Sequence, residues 1–225
     1  MNSISVVVPA GGSGLRFDSR EKKQFVVHEG WTLLRWSIQP FMALGAGLEH
    51  LVVAVPAGCE ADPGLQDLPC RVHVVTGGPR RQDSIKNGLN RLRDLKAGGI
   101  WLVHDAARPL VASQDIDRLV GTIARHHCGA LLAGRVRETI KRSADGMVVD
   151  GTVDREPLWL AHTPQGAPAD LLWRAYELAA GATVTDDAAL LEAAGIPVRL
   201  VESAAANIKV TSRTDWDMVR PQLRR

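Results

Sequence analysis

Apolar residues along the chain recur at two spacings, and the alternation between those spacings outlines a fold. Ile4 to Val8 is a β-branched run, the pattern of a strand buried on both faces of a parallel sheet. Residues 31–44 carry apolar groups at helical spacing, with Pro40 positioned to kink or end the helix. His50 to Val55 and Arg71 to Val75 are two further strands, closed by Pro56 and by Gly77-Gly78. Residues 81–95 form a helix with Ile85, Leu89 and Leu92 on one face. Ile100 to Val103 is a strand, Ser113 to His127 an amphipathic helix with Ser113 as its N-cap, and Gly129 to Ala133 a short strand. Strands alternating with helices imply a mostly parallel sheet with right-handed crossovers.

The alternation breaks at about 134–158. There β-prone pieces flank Asp145-Gly146 and Asp150-Gly151, two hairpin turn signals, so a β-hairpin arm is inserted in the α/β domain. Afterwards helices follow at 169–180 and 186–194, strands at Val198 to Val201 and Asn207 to Val210, and a last helix at 213–224. Residues 1–225 are expected to form one domain that includes the arm.

Composition narrows the partners. The chain is 45% hydrophobic and 23% charged, which suits a globular protein with a sizeable core. Its 27 basic and 25 acidic residues leave a net charge of +2, too small to argue for nucleic acid or a membrane surface. Cys59, Cys70 and Cys128 are scattered and odd in number, as in a reduced cytoplasmic protein, and no apolar run approaches the roughly 18 residues of a membrane span. Adjacent His126 and His127 in a helix point about 100° apart, so they are surface or helix-end residues rather than a metal pair.

Chemistry concentrates where ligands of open α/β sheets bind, beyond the carboxyl ends of the strands. After the first strand comes AGGSGLR. No glycine in the chain is followed by lysine, which excludes a P-loop, and G-x-G-x-x-G fails at Phe17. The small residues Ala10 to Gly14 still let backbone N–H groups approach phosphate, with Arg16 and Lys23 supplying charge beyond them. Such a loop alone is equally a solvated turn. Three further loops shift the balance. Gly77-Gly78 precedes a helix whose first turn holds Gln82, Asp83 and Ser84, which either read a base and ribose or cap the helix. Asp105 in HDAARP follows a buried strand and suits either a Mg²⁺ shared with phosphates or a capping role, and Arg108 is placed to hold a second anion. Lys209, in NIKV, points either to solvent or into the site.

Together PAGGSGLR, KKQF, GGPRRQDSIKNGL, VHDAARP, ETIKR, VDREPLW, HTPQ, TDDAALLEAAG and NIKVTS resemble the 2-C-methyl-D-erythritol 4-phosphate cytidylyltransferases of the non-mevalonate isoprenoid pathway, almost end to end and in order. The resemblance implies a Rossmann-like nucleotidyltransferase domain, transfer of CMP from CTP with release of pyrophosphate, Mg²⁺, and a homodimer clasped through the arm. It places Ala10, Gly11, Gly12, Gly14, Gly78, Ser84, Asp105 and Ala106 at the nucleotide. Arg16 and Lys23 match transition-state stabilisers, Lys23 being favoured over Lys22. Arg108, Thr185 and Lys209 match substrate-side positions, and Thr139 and Arg155 match arm residues that reach the partner's sugar-phosphate site. Arg155 and Lys209 join Arg16 and Lys23 as the catalytic set.

Three rival readings remain. A ribitol 5-phosphate cytidylyltransferase would share the loops, although Ala107 leans toward the methylerythritol enzyme. A nicotinamide-dependent dehydrogenase would need a glycine at 17 and an acid where the second strand ends in AVPAG. A non-catalytic nucleotide-binding regulator would have no need of the retained Arg16, Lys23, Asp105 and Lys209.

Overall fold

Val6 and Val8 face one side of the first strand and Val7 the other, and each side has its own apolar layer. The computed structural model describes residues 3–12, 17, 22–60, 64–65, 67–179, 184–204 and 206–224. In chain order its elements are β1 (Ile4–Pro9), β2 (Val27–His28), β3 (Trp31–Thr32), α1 (Leu33–Ile38), β4 (Leu48–Val55), β5 (Arg71–Thr76), α2 (Arg81–Asp94), β6 (Ile100–Val103) and α3 (Ser113–His126). After these come β7 (Gly129–Arg135), β8 (Ile140–Arg142), β9 (Gly151–Val153), β10 (Trp159–Pro168), α4 (Ala169–Leu178), α5 (Asp187–Ala193), β11 (Val198–Glu202) and α6 (Arg213–Val219).

Seven strands form one sheet in the order β11-β7-β10-β6-β1-β4-β5. All of its strands run the same way except β10, which lies antiparallel to both β6 and β7. The mostly parallel α/β sheet expected from the sequence is therefore present. On one face Val6, Leu51, Val53 and Leu102 pack with Leu34, Phe41, Ile116 and Leu119 from α1, the 3-10 helix after it, and α3. On the other, Val7, Val52, Trp101 and Val103 meet Ile85, Leu89, Leu172 and Leu190 from α2, α4 and α5. A third cluster joins Phe17, Val26, Leu33 and Trp36 to Val210, Trp216 and Val219, so position 17 serves core packing rather than a dinucleotide turn.

Several local expectations need correction. The helix expected over 31–44 is split. Thr32 caps α1 by accepting from Arg35 N at 3.1 Å, and Pro40 turns the chain into a 3-10 helix over Gln39–Gly47. Ser113 is the first residue of α3 rather than its cap; Ala112 occupies the cap position without a side-chain bond. Strand β10 carries no strand pattern in the sequence, because Pro164, Gly166 and Pro168 interrupt it. Gly166 is there for space: a Cβ on it would lie 2.3 Å from the carbonyl oxygen of Trp101 on β6. The strand expected over Asn207 to Val210 is not one. The segment is held by single bonds instead: Val210 N to Ala107 O at 2.8 Å and Asn207 Nδ2 to Thr163 O at 2.7 Å. The last helix stops at Val219, before Pro221.

Between β7 and β10 the chain forms a separate antiparallel ribbon of β8 and β9. Asp145-Gly146 is its turn, with the Asp145 carboxylate accepting from the N–H groups of Met147 and Val148 at 2.8 and 2.9 Å. Gly151, expected in a second turn, instead starts β9. Met147, Val148 and Val149 at the tip are exposed.

Candidate active site

Strand order reverses direction around β1, whose neighbours are β4 on one side and β6 on the other. Loops leaving the carboxyl ends of β1 and β6 therefore diverge and leave a crevice. A cavity of about 430 Å³ opens there, lined by Ala10 to Gly12 after β1, Gly78 to Arg81 and Ser84 after β5, and Asp105 to Ala107 after β6, together with Lys23, Gln24 and Lys209.

The two glycine loops touch. A Cβ on Gly11 or on Gly77 would lie 3.0 Å from Ser84 Oγ, and one on Gly77 would come within 3.3 Å of the Gly11 Cα. Ser84, on the first turn of α2, accepts from Gly78 N at 3.0 Å and so fixes the second loop. Gln24 fixes the first. Its side chain is buried, and Nε2 donates to Ala10 O at 2.6 Å and to Gly12 O at 3.3 Å. Nothing in the sequence singled out Gln24 beyond its place in KKQF.

Lys23 extends into the cleft and donates to Val210 O at 2.9 Å, which ties the N-terminal segment to the one carrying Lys209. Lys22 is exposed, with Nζ 3.5 Å from Cys59 Sγ, so of the two lysines only Lys23 lines the cavity. Lys209 points into the site. Its Nζ sits 2.8 Å from Asp105 Oδ2.

Asp105 lies at the centre of the charged groups. Arg81 Nε meets its Oδ1 at 2.9 Å, Arg108 Nε is 3.6 Å from Oδ2, and its backbone N donates to Thr163 Oγ1 at 3.0 Å. Burial alone would raise the Asp105 carboxyl, but the Arg81, Lys209 and Arg108 cations hold it well below the usual carboxylate range. Arg81 reaches on to Asp187 at 2.9 Å. Burial works against its charge, yet the Asp187 and Asp105 carboxylates raise it above the usual arginine value. Sequence reasoning missed Arg81 and Asp187, which are 106 positions apart and look like helix-end residues.

Arg108 stands behind the cavity wall, donating to Asn207 O at 2.6 Å and to Ala161 O at 3.4 Å. Thr185 lines a neighbouring cleft of about 250 Å³ that shares Arg80 and Arg81 with the first. Thr139 and Arg155 lie at the ribbon, away from both clefts of their own chain, and Arg155 donates to Arg137 O. Gly14 and Arg16 fall outside the described residues.

Neither nearby histidine is poised as a base. Burial pushes His104 down to about 4 while it bonds Thr163 Oγ1 and Arg108 O at 3.2 Å each. Burial, with Arg108 alongside, also pushes His162 to about 4. The cavity thus offers fixed cations and close backbone, an arrangement suited to a polyphosphate and to transfer chemistry that needs no proton acceptor.

Comparison with known proteins agrees with this geometry. The sequence profile of 2-C-methyl-D-erythritol 4-phosphate cytidylyltransferase matches residues 4–225. The chain belongs to that family. The cytidylyltransferase of Vibrio vulnificus strain YJ016 is 40% identical over 222 residues, covering 96% of this chain and 92% of the relative. That of Aeromonas hydrophila is 40% identical over 218 residues, covering 96% and 87%. Among solved structures, the Francisella tularensis 2-C-methyl-D-erythritol 4-phosphate cytidylyltransferase superposes with a TM-score of 0.82 at 30% identity, covering 98% of this chain and all of that one. The cytidylyltransferase family thus accounts for both the mostly parallel sheet and the glycine-lined crevice. Among the described residues no helix is long and apolar enough to cross a membrane, and no cluster of three or more His, Cys, Asp or Glu could hold a metal ion.

Proposed function

We propose that this chain transfers CMP from CTP to 2-C-methyl-D-erythritol 4-phosphate, releasing pyrophosphate, as a step in isoprenoid precursor synthesis by the non-mevalonate route. The observation that carries the reading is the convergence of Lys23 and Lys209, 186 positions apart, on a crevice walled by two glycine loops. A phosphate oxygen of the polyol attacks the α-phosphorus of CTP in line. That oxygen is already anionic, so the protein's task is to bring two anions together and neutralise the transition state. Lys23 and Lys209 do this, with Arg16 as the third cation. Ala10 to Gly12, Gly14, Gly78, Ser84 and Ala106 seat the nucleotide. Arg108 and Thr185 bound the polyol-phosphate side.

Mg²⁺ fits this site as an ion carried mainly by the phosphates. Asp105 is the one carboxylate on the cavity wall among the described residues, and cations already meet both of its oxygens. A magnesium ion with few protein ligands is what such a wall accommodates, and it would offset triphosphate charge.

The ribbon supports a homodimer. Its exposed Met147, Val148 and Val149 form an apolar tip that a second copy would cover, and Thr139 and Arg155 at its base would then serve the partner's site. The catalytic unit is one nucleotidyltransferase domain working in the cytoplasm.

Incubation of the purified chain with CTP, Mg²⁺ and either 2-C-methyl-D-erythritol 4-phosphate or ribitol 5-phosphate tests the reaction, read as pyrophosphate release and CDP-polyol by ³¹P NMR. Lys23→Ala should lower kcat by about 10²–10³-fold, the scale of losing one transition-state donor, while the chain stays folded with a Tm lowered by only a few degrees for the lost bond to Val210 O. Preference for ribitol 5-phosphate, or a Lys23→Ala enzyme with normal kcat, refutes the assignment. Full activity in a monomer lacking residues 140–153 refutes the role of the arm.

A further inference from the structure

From two of the residues assigned to CTP and polyol phosphate, a chain of charged groups runs out of the cleft into the core. Lys209 pairs with Asp105, Asp105 with Arg81, and Arg81 with Asp187. Tyr176 Oη donates to Asp187 Oδ1 and ends the chain in the α4–α5 layer. The side chain of Asp187 is 1% exposed and that of Asp105 8%, whereas that of Lys209, at the cleft end, is 37% exposed. Arg81 lines both clefts and uses different nitrogens for its two carboxylates, Nε for Asp105 and Nη2 for Asp187.

The two inner links stand on helix starts. Arg81 is the first residue of α2, and Asp187 is the first of α5. The α5 N-terminus is pinned where Asp186 accepts from Ala189 N at 3.0 Å and where Gln165 on β10 accepts from Ala188 N at 2.8 Å and donates to Asp186 at 3.0 Å. A guanidinium gripped at both ends has one orientation, and it transmits that orientation to Asp105. Asp105 in turn decides where the Lys209 ammonium waits.

We propose that Arg81 is the positioning residue of this site: aimed by Asp187 and Tyr176, it sets the Asp105 carboxylate and thereby places Lys209, and it keeps Asp105 paired when Lys209 turns to substrate phosphate. Without Arg81, Asp105 keeps Lys209 and Arg108 as its charged neighbours and draws the ammonium away from substrate. The inference rests on the transfer reading above, in which Lys209 acts on phosphate.

A double-mutant cycle on the full chain tests it, with kcat and KM measured separately for both substrates. By analogy with the 10–100-fold losses seen when the groups orienting a ligand are removed, Arg81→Met should lower kcat/KM about 10²-fold and Arg81→Lys about tenfold, since one ammonium cannot grip two carboxylates in a fixed fork. Tyr176→Phe removes a single oxygen outside the main cleft, so folding is spared, and should lower kcat/KM a few-fold. In a Lys209→Met background all three losses should shrink to less than about twofold, because no ammonium is left to place. A purely structural role, or direct contact of Arg81 with substrate, makes the losses multiply in that background, and either result overturns the proposal. So does an Arg81→Met enzyme within twofold of wild type. If the wild-type chain forms no CDP-polyol, it is the transfer reading that fails. The same cycle is then read by calorimetry of CTP binding, where additive losses in affinity again overturn the role of Arg81.

Discussion

Replacing Gln24 by Leu isolates what the first glycine loop needs in order to hold its shape. Leucine roughly keeps the packed volume and removes the donor. Two carbonyls lose their partner, those of Ala10 and Gly12. Gly12 is exposed and its carbonyl rehydrates, but Ala10 is only 3% exposed, so its oxygen is left buried and unpaired. One such group costs about 1–3 kcal/mol. For a chain of this size each kcal/mol is worth about 2–4 °C in Tm, so differential scanning calorimetry should show a fall of about 2–12 °C. The same loosening obliges CTP to order the loop at its own expense, and KM for CTP should rise about tenfold while KM for the polyol phosphate moves little. A Gln24→Leu protein with wild-type Tm and wild-type KM for CTP would show that the loop holds itself and that the side chain is incidental.

Two further outcomes follow from packing and charge. In a helix, Gly→Ala normally gains about 1 kcal/mol, but a Cβ on Gly88 would lie 2.4 Å from Val7 Cγ1, and overpacking costs about 1–3 kcal/mol. Gly88→Ala should therefore lower Tm by thermal melting, and a rise would mean that α2 can move off β1 freely. His104, neutral and buried with its pKa pushed down to about 4, refuses a proton that the unfolded chain accepts near 6.5. Between those values the unfolded state binds more protons, so stability rises with pH through the window and is lost on acidification, by about 3 kcal/mol once pH is below 4. The slope of Tm against pH from 4 to 6.5 should flatten in His104→Phe, and an unchanged slope would remove this histidine from the account.

The local pattern of the chain determined the alternating elements, the glycine loops at the strand ends and the inserted ribbon. These follow from periodicities of two and 3.6, from turn chemistry and from the rule that loops at one edge of a parallel sheet converge, all properties of neighbouring residues. The tertiary structure alone decided the rest. Strand β10 pairs antiparallel between β6 and β7 although its prolines and glycine mask it, because the burial of Gln165 and Ala167 is set by flanking strands rather than by the segment itself. Residues 207–210 have strand-like composition yet stay out of the sheet: the Asn207 carbonyl and side chain are taken by Arg108 and Thr163, and the Val210 backbone by Ala107 and Lys23. Lys22 and Lys23 are alike in sequence, and only packing turns one to Cys59 and the other into the cleft. Arg81 and Asp187 are unremarkable in their own segments, and Asp105 and Lys209 are each open to two readings in theirs. They become a chain of ion pairs because the sheet brings the starts of two helices and two loops to one point, and the burial of Asp105 and Asp187 there makes each depend on paired cations.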